Sequence, residues 1–104
     1  MTYACHEIEA EIRYLTTEEG GRRHGVFSGF RGQFHYDGDD FDGFQFFPDV
    51  ADGEMVEPGT TVRALVRFDQ KRWDEIHAHR ITVGMPFLIR EGSKTVGRGT
   101  VTRV

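Results

Sequence analysis

Residues 6–15 of this chain read HEIEAEIRYL, and residues 7–14 within them alternate strictly between charged and apolar side chains. The apolar residues are Ile8, Ala10, Ile12 and Tyr14, and glutamates or an arginine stand between them. Because successive side chains of a β-strand point to opposite faces of a sheet, this pattern predicts a strand with one buried and one charged face.

Similar patterns recur along the rest of the chain. Residues 60–68 give the clearest case, because their even-numbered positions are apolar from 62 onwards, with Leu65 as an apolar exception on the other face. Further strands are predicted at residues 26–30, 33–36, 41–47, 76–83 and 87–90, and the last one turns at 91–94 and continues to the C-terminus. Many short strands without a long helix predict an all-β fold, an antiparallel barrel or a sandwich.

The length of 104 residues corresponds to one domain, residues 1–104. The single cysteine, Cys5, cannot form an intrachain disulfide, and the N-terminus lacks the basic and apolar segments of a signal peptide. The longest uncharged stretch, residues 81–89, is too short to span a membrane. These features predict a cytoplasmic protein with no membrane association.

The net charge of −4 is unevenly distributed along the chain. Residues 1–60 hold thirteen acidic and four basic residues, whereas residues 61–104 hold four acidic and nine basic ones. Nucleic-acid binding depends largely on the neutralisation of phosphates, so the acidic total argues against an RNA partner. A basic face formed by the second half of the chain would still be compatible with one.

No motif for catalysis or for a cofactor is complete. The string GSKT at residues 92–95 lacks the glycine before the lysine that a phosphate-binding loop requires, so this chain is not expected to bind GTP or ATP. His77 and His79 would share one face of the predicted strand, but a third metal ligand is missing, which favours a solvated face. The carboxylates within residues 37–42 are interpreted as a solvated turn rather than a calcium site. The sequence therefore predicts a protein that is not an enzyme and that has no cofactor or metal.

Three segments together resemble one protein family. They are residues 10–36 (AEIRYLTTEEGGRRHGVFSGFRGQFHY), 54–66 (EMVEPGTTVRALV) and 87–104 (FLIREGSKTVGRGTVTRV). In this order they are similar to segments of the C-terminal, third domain of bacterial translation elongation factor Tu. The resemblance implies a closed, six-stranded antiparallel barrel of the Greek-key type. It covers nearly the whole chain without a GTPase domain, so the chain is interpreted as a free-standing copy of that domain, with a fragment of a larger protein as the alternative.

The resemblance also implies functional residues. In the family this barrel is not catalytic; it packs on the other two domains, contacts the T stem of aminoacyl-tRNA and takes part in binding the nucleotide-exchange factor. Gln33 and Glu91 match family residues that contact the T stem, and Arg31 and Arg22 match arginines of the YRPQF and EEGGRH segments. These four are the candidate nucleic-acid-binding residues.

The chain departs from the family pattern at several positions. Asp42 replaces a threonine that donates a hydrogen bond to a tRNA phosphate, and a carboxylate cannot donate and repels phosphate. Gly32 replaces a proline, and Arg98 replaces a small residue in the last strand, where either a bulge or a new surface would account for it. The connection at residues 69–85 is longer than in the family and carries Trp73.

The sequence leaves two functions open. The first is a binding module that engages a protein partner, and it predicts exposed apolar residues on the faces that meet other domains in the family. The second is a tRNA- or RNA-binding protein that keeps the T-stem surface. Gln33, Arg31 and Glu91 favour the second function, and Asp42 and the acidic net charge oppose it.

Overall fold

The computed structural model describes residues 4–104 of the chain. Within them, seven strands form one antiparallel sheet: β1 (Cys5–Tyr14), β2 (Gln33–Tyr36), β3 (Asp39–Phe41), β4 (Phe44–Phe46), β5 (Thr61–Asp69), β6 (Pro86–Glu91) and β7 (Lys94–Arg103). Helical structure in this part of the chain is confined to α1 (Gln70–Arg72) and a π-helical turn at Trp73–His77. The all-β prediction is confirmed.

The sheet curls round until its two ends meet. The strand order is β3-β2-β6-β7-β1-β5-β4, and the end strands β3 and β4 are separated in the chain by only Asp42 and Gly43. One interrupted strand thus pairs with β2 on one side and with β5 on the other. Counting β3 and β4 as one strand gives the six expected strands, and counting them apart gives seven.

The interruption lies at Gly43, which is buried. A Cβ atom at this position would lie 3.1 Å from Val66 Cγ1 and 3.2 Å from Phe34 Cβ. A side chain here would therefore be tightly packed against its neighbours, and the strand is interrupted at this position.

The core lies between the inward faces of the strands, as the alternation in the sequence predicts. The register of β1 and β5 places buried apolar residues opposite one another: Ile8 with Val66, Ala10 with Ala64, and Ile12 with Val62. The ring of Phe34 packs against Phe68 at 5.1 Å and against Phe87 at 4.3 Å between centroids. These contacts join β2, β5 and β6 through the interior of the barrel.

Tight turns lie where the glycine patterns place them. Asp37 and Gly38 have positive φ angles of 51° and 80° and connect β2 to β3 as a two-residue hairpin. Such hairpin turns favour Asp-Gly because both central residues adopt positive φ. Gly59, with φ of 87°, follows Pro58 in the turn before β5.

The predicted strand at residues 76–83 is wrong. Trp73, His77 and Ile81 are all buried, and a spacing of four residues is typical of a helix rather than a strand. The region accordingly forms a helical turn followed by an irregular connection to β6. His77 is buried and His79 is exposed, so the expectation that they share one solvated strand face is also wrong.

Two other predictions hold in part. Residues 26–30 contribute isolated bridges from Val26 and Phe30 rather than a strand. In β7, the register against β6 skips Val96, so that Val96 and Gly97 are both buried and Arg98 is exposed. Of the two explanations for Arg98, the structure supports a bulge, but it lies at Val96 rather than at the predicted Gly97 and Gly99.

Candidate macromolecule-binding surface

The four predicted nucleic-acid-binding residues lie at one end of the barrel. Gln33 begins β2 and pairs with Arg90 of β6, the residue directly before Glu91. Arg22 forms an ion pair with Glu91, and Arg31 lines the same shallow hollow as Gln33. The structure therefore brings the four residues together as two adjacent pairs.

Arg22 and Glu91 satisfy each other's charge. Arg22 Nη1 lies 2.5 Å from Glu91 Oε2, and the guanidinium lies over the ring of Phe30, 4.9 Å from its centroid. A nucleic acid that used either residue would have to compete with this partly exposed ion pair. Pairs of this kind contribute about 1 kcal/mol or less, so the competition is not prohibitive.

Gln33 contacts the carboxylate of Asp42, and Arg31 lines the same hollow. Gln33 Nε2 lies 3.4 Å from Asp42 Oδ1, and the Arg31 guanidinium lies 5.0 Å from the ring centroid of Phe44. Asp42 is exposed. A negative charge thus stands directly beside the candidate amide, where it repels a phosphate.

β4 has its polar residue inside and its aromatic residues outside, the reverse of an ordinary barrel strand. Gln45 is fully buried; it accepts a hydrogen bond from Tyr14 Oη at 2.7 Å and donates to the carbonyl oxygens of Gly32 and Gly43 at 2.8 and 3.0 Å. Burial raises the pKa of the Tyr14 phenol, which keeps it protonated as a donor. These bonds compensate for the desolvation of the amide and hold β4 in this orientation.

Phe44 and Phe46 consequently face outward, directly opposite Arg67 and Leu65 of β5. An arginine lies over each ring: Arg31 over Phe44, and Arg67 over Phe46 at 4.2 Å from the centroid. We refer to Phe44, Phe46, Leu65, Arg31 and Arg67 as the aromatic face. Its three apolar members are half-buried.

Sequence reasoning missed Gln45 and the buried position of His77. Phenylalanines occur at both parities of residues 41–47, so alternation does not show which face of that segment is inside. His77 had a signal, its spacing of four from the apolar residues Trp73 and Ile81, but that signal was outweighed by the expectation of a strand.

Two absences concern the described part of the chain. Within residues 4–104, no three or more His, Cys, Asp and Glu side chains are grouped so that they could hold a metal ion. Among the same residues, no helix has the length and apolar character needed to cross a membrane.

A single antiparallel sheet that curls until its end strands adjoin in the chain forms a β-barrel domain. The candidate binding residues lie on its outer surface. The family model of the elongation factor Tu C-terminal domain matches residues 2–104. The chain therefore belongs to the elongation factor Tu C-terminal domain family, as its sequence motifs predict. Membership supports a translation-related role, and the corresponding domain of the elongation factor is non-catalytic.

Proposed function

We propose that this chain is a non-enzymatic domain that binds a protein partner through the aromatic face, in the context of translation. The observation that carries the proposal is the polarity of β4, which exposes Phe44 and Phe46 and buries Gln45. The proposal assigns neither GTP binding nor a cofactor to the chain. It places the protein in the cytoplasm, where translation takes place.

The composition of the aromatic face suits a protein interface. Aromatic residues and arginine are enriched at the centres of such interfaces, where they supply contact area and hydrogen-bond donors. Arg31 and Arg67 cover the rings in the free domain; Arg67 is also ion-paired with Glu7, so Arg31 is the arginine that presents its guanidinium to a partner. Phe27, which is 53% exposed in the neighbouring turn, extends the apolar surface.

Partner capture with two matched variants tests the proposal. The tagged domain, Phe46→Ser and Val83→Ser are used as baits in nuclease-treated lysate; Val83 is 61% exposed in the connection before β6. We expect the wild type and Val83→Ser to retain the same protein, and Phe46→Ser to retain at least about fivefold less of it. Equal retention by Phe46→Ser, in a variant with an unchanged circular dichroism spectrum, would overturn the aromatic face as the binding surface.

A second candidate function is tRNA binding through Arg22, Arg31, Gln33 and Glu91, which is favoured by their position at one end of the barrel. Binding to bulk tRNA is measured at low and at near-physiological salt. Phosphate recognition predicts an affinity that falls steeply with salt and that Arg31→Ala and Gln33→Ala both weaken. Asp42→Thr is expected to strengthen it, because a hydroxyl replaces the repelling carboxylate. No binding at low salt would exclude this function.

A further inference from the structure

A cleft of about 480 Å³ opens where the β3–β4 strand is interrupted. One side is formed by the end of β3 and the start of β4, with Phe41, Asp42 and Phe44. The other side is formed by the helical segment that follows β5, with Arg72 and His77. The cleft shares Asp42 and Phe44 with the hollow beside Arg31, so it adjoins the aromatic face.

His77 is the buried polar group of this cleft. The residue is 1% exposed, and its Nδ1 lies 2.6 Å from Tyr36 Oη. Its other ring nitrogen, Nε2, makes no hydrogen bond within residues 4–104. Burial, followed by the charges of Arg80 and Arg72, lowers the pKa of His77 to about 4, so the ring is neutral at pH 7. A tyrosine hydroxyl can either donate to Nδ1 or accept from it, so the contact is compatible with the tautomer in which Nε2 keeps a lone pair for a donor that enters the cleft.

Asp42 is the available carboxylate at the mouth of the cleft. Asp40 also lines it, but its Oδ1 already lies 2.7 Å from His35 Nδ1 and 3.6 Å from Arg90 Nη1. Asp42 is exposed and has only the long, 3.4 Å contact with Gln33 among the described residues. A cationic ligand at the mouth would therefore meet Asp42 first.

We infer that this cleft takes an arginine side chain of the protein partner, a step that rests on the protein-binding function proposed above. A guanidinium is planar, packs against aromatic rings and donates hydrogen bonds in several directions. The cleft is lined by two aromatic residues, Phe41 and Phe44, by the carboxylate-bearing Asp42 and by the buried His77. The domain already holds its own arginines in this way, since Arg31 lies over Phe44 on the aromatic face.

The charge of the cleft selects a cation against a phosphate. Asp40, Asp42 and Asp69 line it together with a single arginine, Arg72. Like charges repel and opposite charges attract most strongly where water is partly excluded. Asp40 is engaged with His35 and Arg90, and Asp69 accepts a hydrogen bond from the backbone N–H of Arg72. Asp42, the carboxylate that disfavours a nucleic acid at this end of the barrel, is thus the group that attracts a basic protein segment.

Titration of the intact domain with N-acetyl-arginine amide, followed by NMR, tests the inference. The reporters are the backbone amide of Gly43, the side-chain amide of Gln33 and the ring nitrogens of His77. We expect saturable shifts at these three sites in the millimolar range, and none with N-acetyl-citrulline amide, which has nearly the same shape without the charge. Asp42→Asn is expected to weaken binding at least about fivefold, because it removes a charge-assisted hydrogen bond.

The matched control is Asp52→Asn, which makes the same change of charge at an exposed position outside the cleft. Equal weakening by Asp52→Asn, or equal shifts with citrulline amide, would overturn the inference, as would saturable binding of inorganic phosphate at the same reporters. If arginine amide fails to bind while partner capture still depends on Phe46, the arginine cleft is wrong and the proposed function stands. If capture does not depend on Phe46 but arginine amide binds as described, the aromatic face is wrong as the binding surface and the arginine cleft stands.

Discussion

Gln45 is one of two polar side chains, with His77, that are buried among residues 4–104. Its amide satisfies the Tyr14 hydroxyl and the carbonyl oxygens of Gly32 and Gly43. Gln45→Met keeps the volume and leaves these groups unpaired, and each buried unpaired group costs about 1–3 kcal/mol. We expect urea unfolding to show that the variant loses about 3 kcal/mol of stability.

The hydrogen-bond explanation is tested by adding Tyr14→Phe. The double variant should lose less than the sum of the two single losses, because the hydroxyl that Gln45→Met leaves unpaired is then absent. Gln70→Met, at a half-buried glutamine on the helical turn, is the matched control and should change stability by less than about 0.5 kcal/mol. Strictly additive losses would contradict this explanation.

His77 makes the stability of the domain depend on pH. Its pKa is lowered from 6.5 to about 4 in the folded state, so the unfolded chain binds a proton that the folded chain does not. The stabilisation is present above pH 6.5 and is lost as the pH falls towards 4. Between pH 7 and pH 5, His77 should account for a loss of about 2 kcal/mol in unfolding free energy.

His77→Gln should remove this part of the pH dependence, whereas His79→Gln, at an exposed histidine, should preserve it. The measurement is denaturant unfolding at both pH values. Should His77→Gln fail to fold, NMR titration of the wild-type ring reports the same property, and protonation of His77 near pH 6.5 would contradict the prediction.

At the scale of elements, the segment between β3 and β4 is closely packed at Gly43. Gly43→Ala places a methyl group 3.1 Å from Val66 Cγ1, and overpacking of this kind costs about 1–3 kcal/mol. The cost should be smaller in a Val66→Ala background, which removes that Cγ1 atom. Thermal or urea unfolding of the wild type, the two single variants and the double variant measures both costs, and equal costs in the two backgrounds would show that the contact with Val66 does not account for the loss.

The elements that the sequence predicts well are those with one face in the core and one in water. β1 and β5 have this character, so alternation located them to within a residue or two. Alternation fails where apolar residues occur at both parities, as in 41–47, and where Trp73 and Ile81 follow a helical spacing among charged residues. The aromatic face could not be predicted from the sequence either, because it is formed by cross-strand pairs between β4 and β5. Of its members, only Leu65 was noted in the sequence, as an apolar residue on the polar face of its strand. The four end-of-barrel residues came from the family resemblance, and their role in binding stays a prediction.

At the scale of the whole molecule, ion pairs within the sheet neutralise four of the nine basic residues in the second half of the chain. Arg63, Arg67, Arg90 and Arg103, all from the basic second half, pair with acids of the first half. Residues 61–104 hold nine basic and four acidic residues, and this count therefore overstates the positive charge that is available to a nucleic acid. This distribution favours the protein-binding function over tRNA binding.

The position of β1 in the sheet predicts how protection against hydrogen exchange is distributed over the molecule. β1 pairs with β5 over Cys5–Arg13 and with β7 over Glu9–Tyr14, whereas β3 pairs only with β2 through three residue pairs. Backbone amides in β1 should therefore exchange slowest, close to the rate set by global unfolding, and those of β3 and of Trp73–His77 at least about tenfold faster.

Because these faster segments form the walls of the cleft, saturating N-acetyl-arginine amide should slow their exchange and leave β1 unchanged. Exchange from β3 as slow as that from β1 would instead show that the domain opens only as one cooperative unit, and an arginine-induced slowing confined to β1 would place the ligand elsewhere.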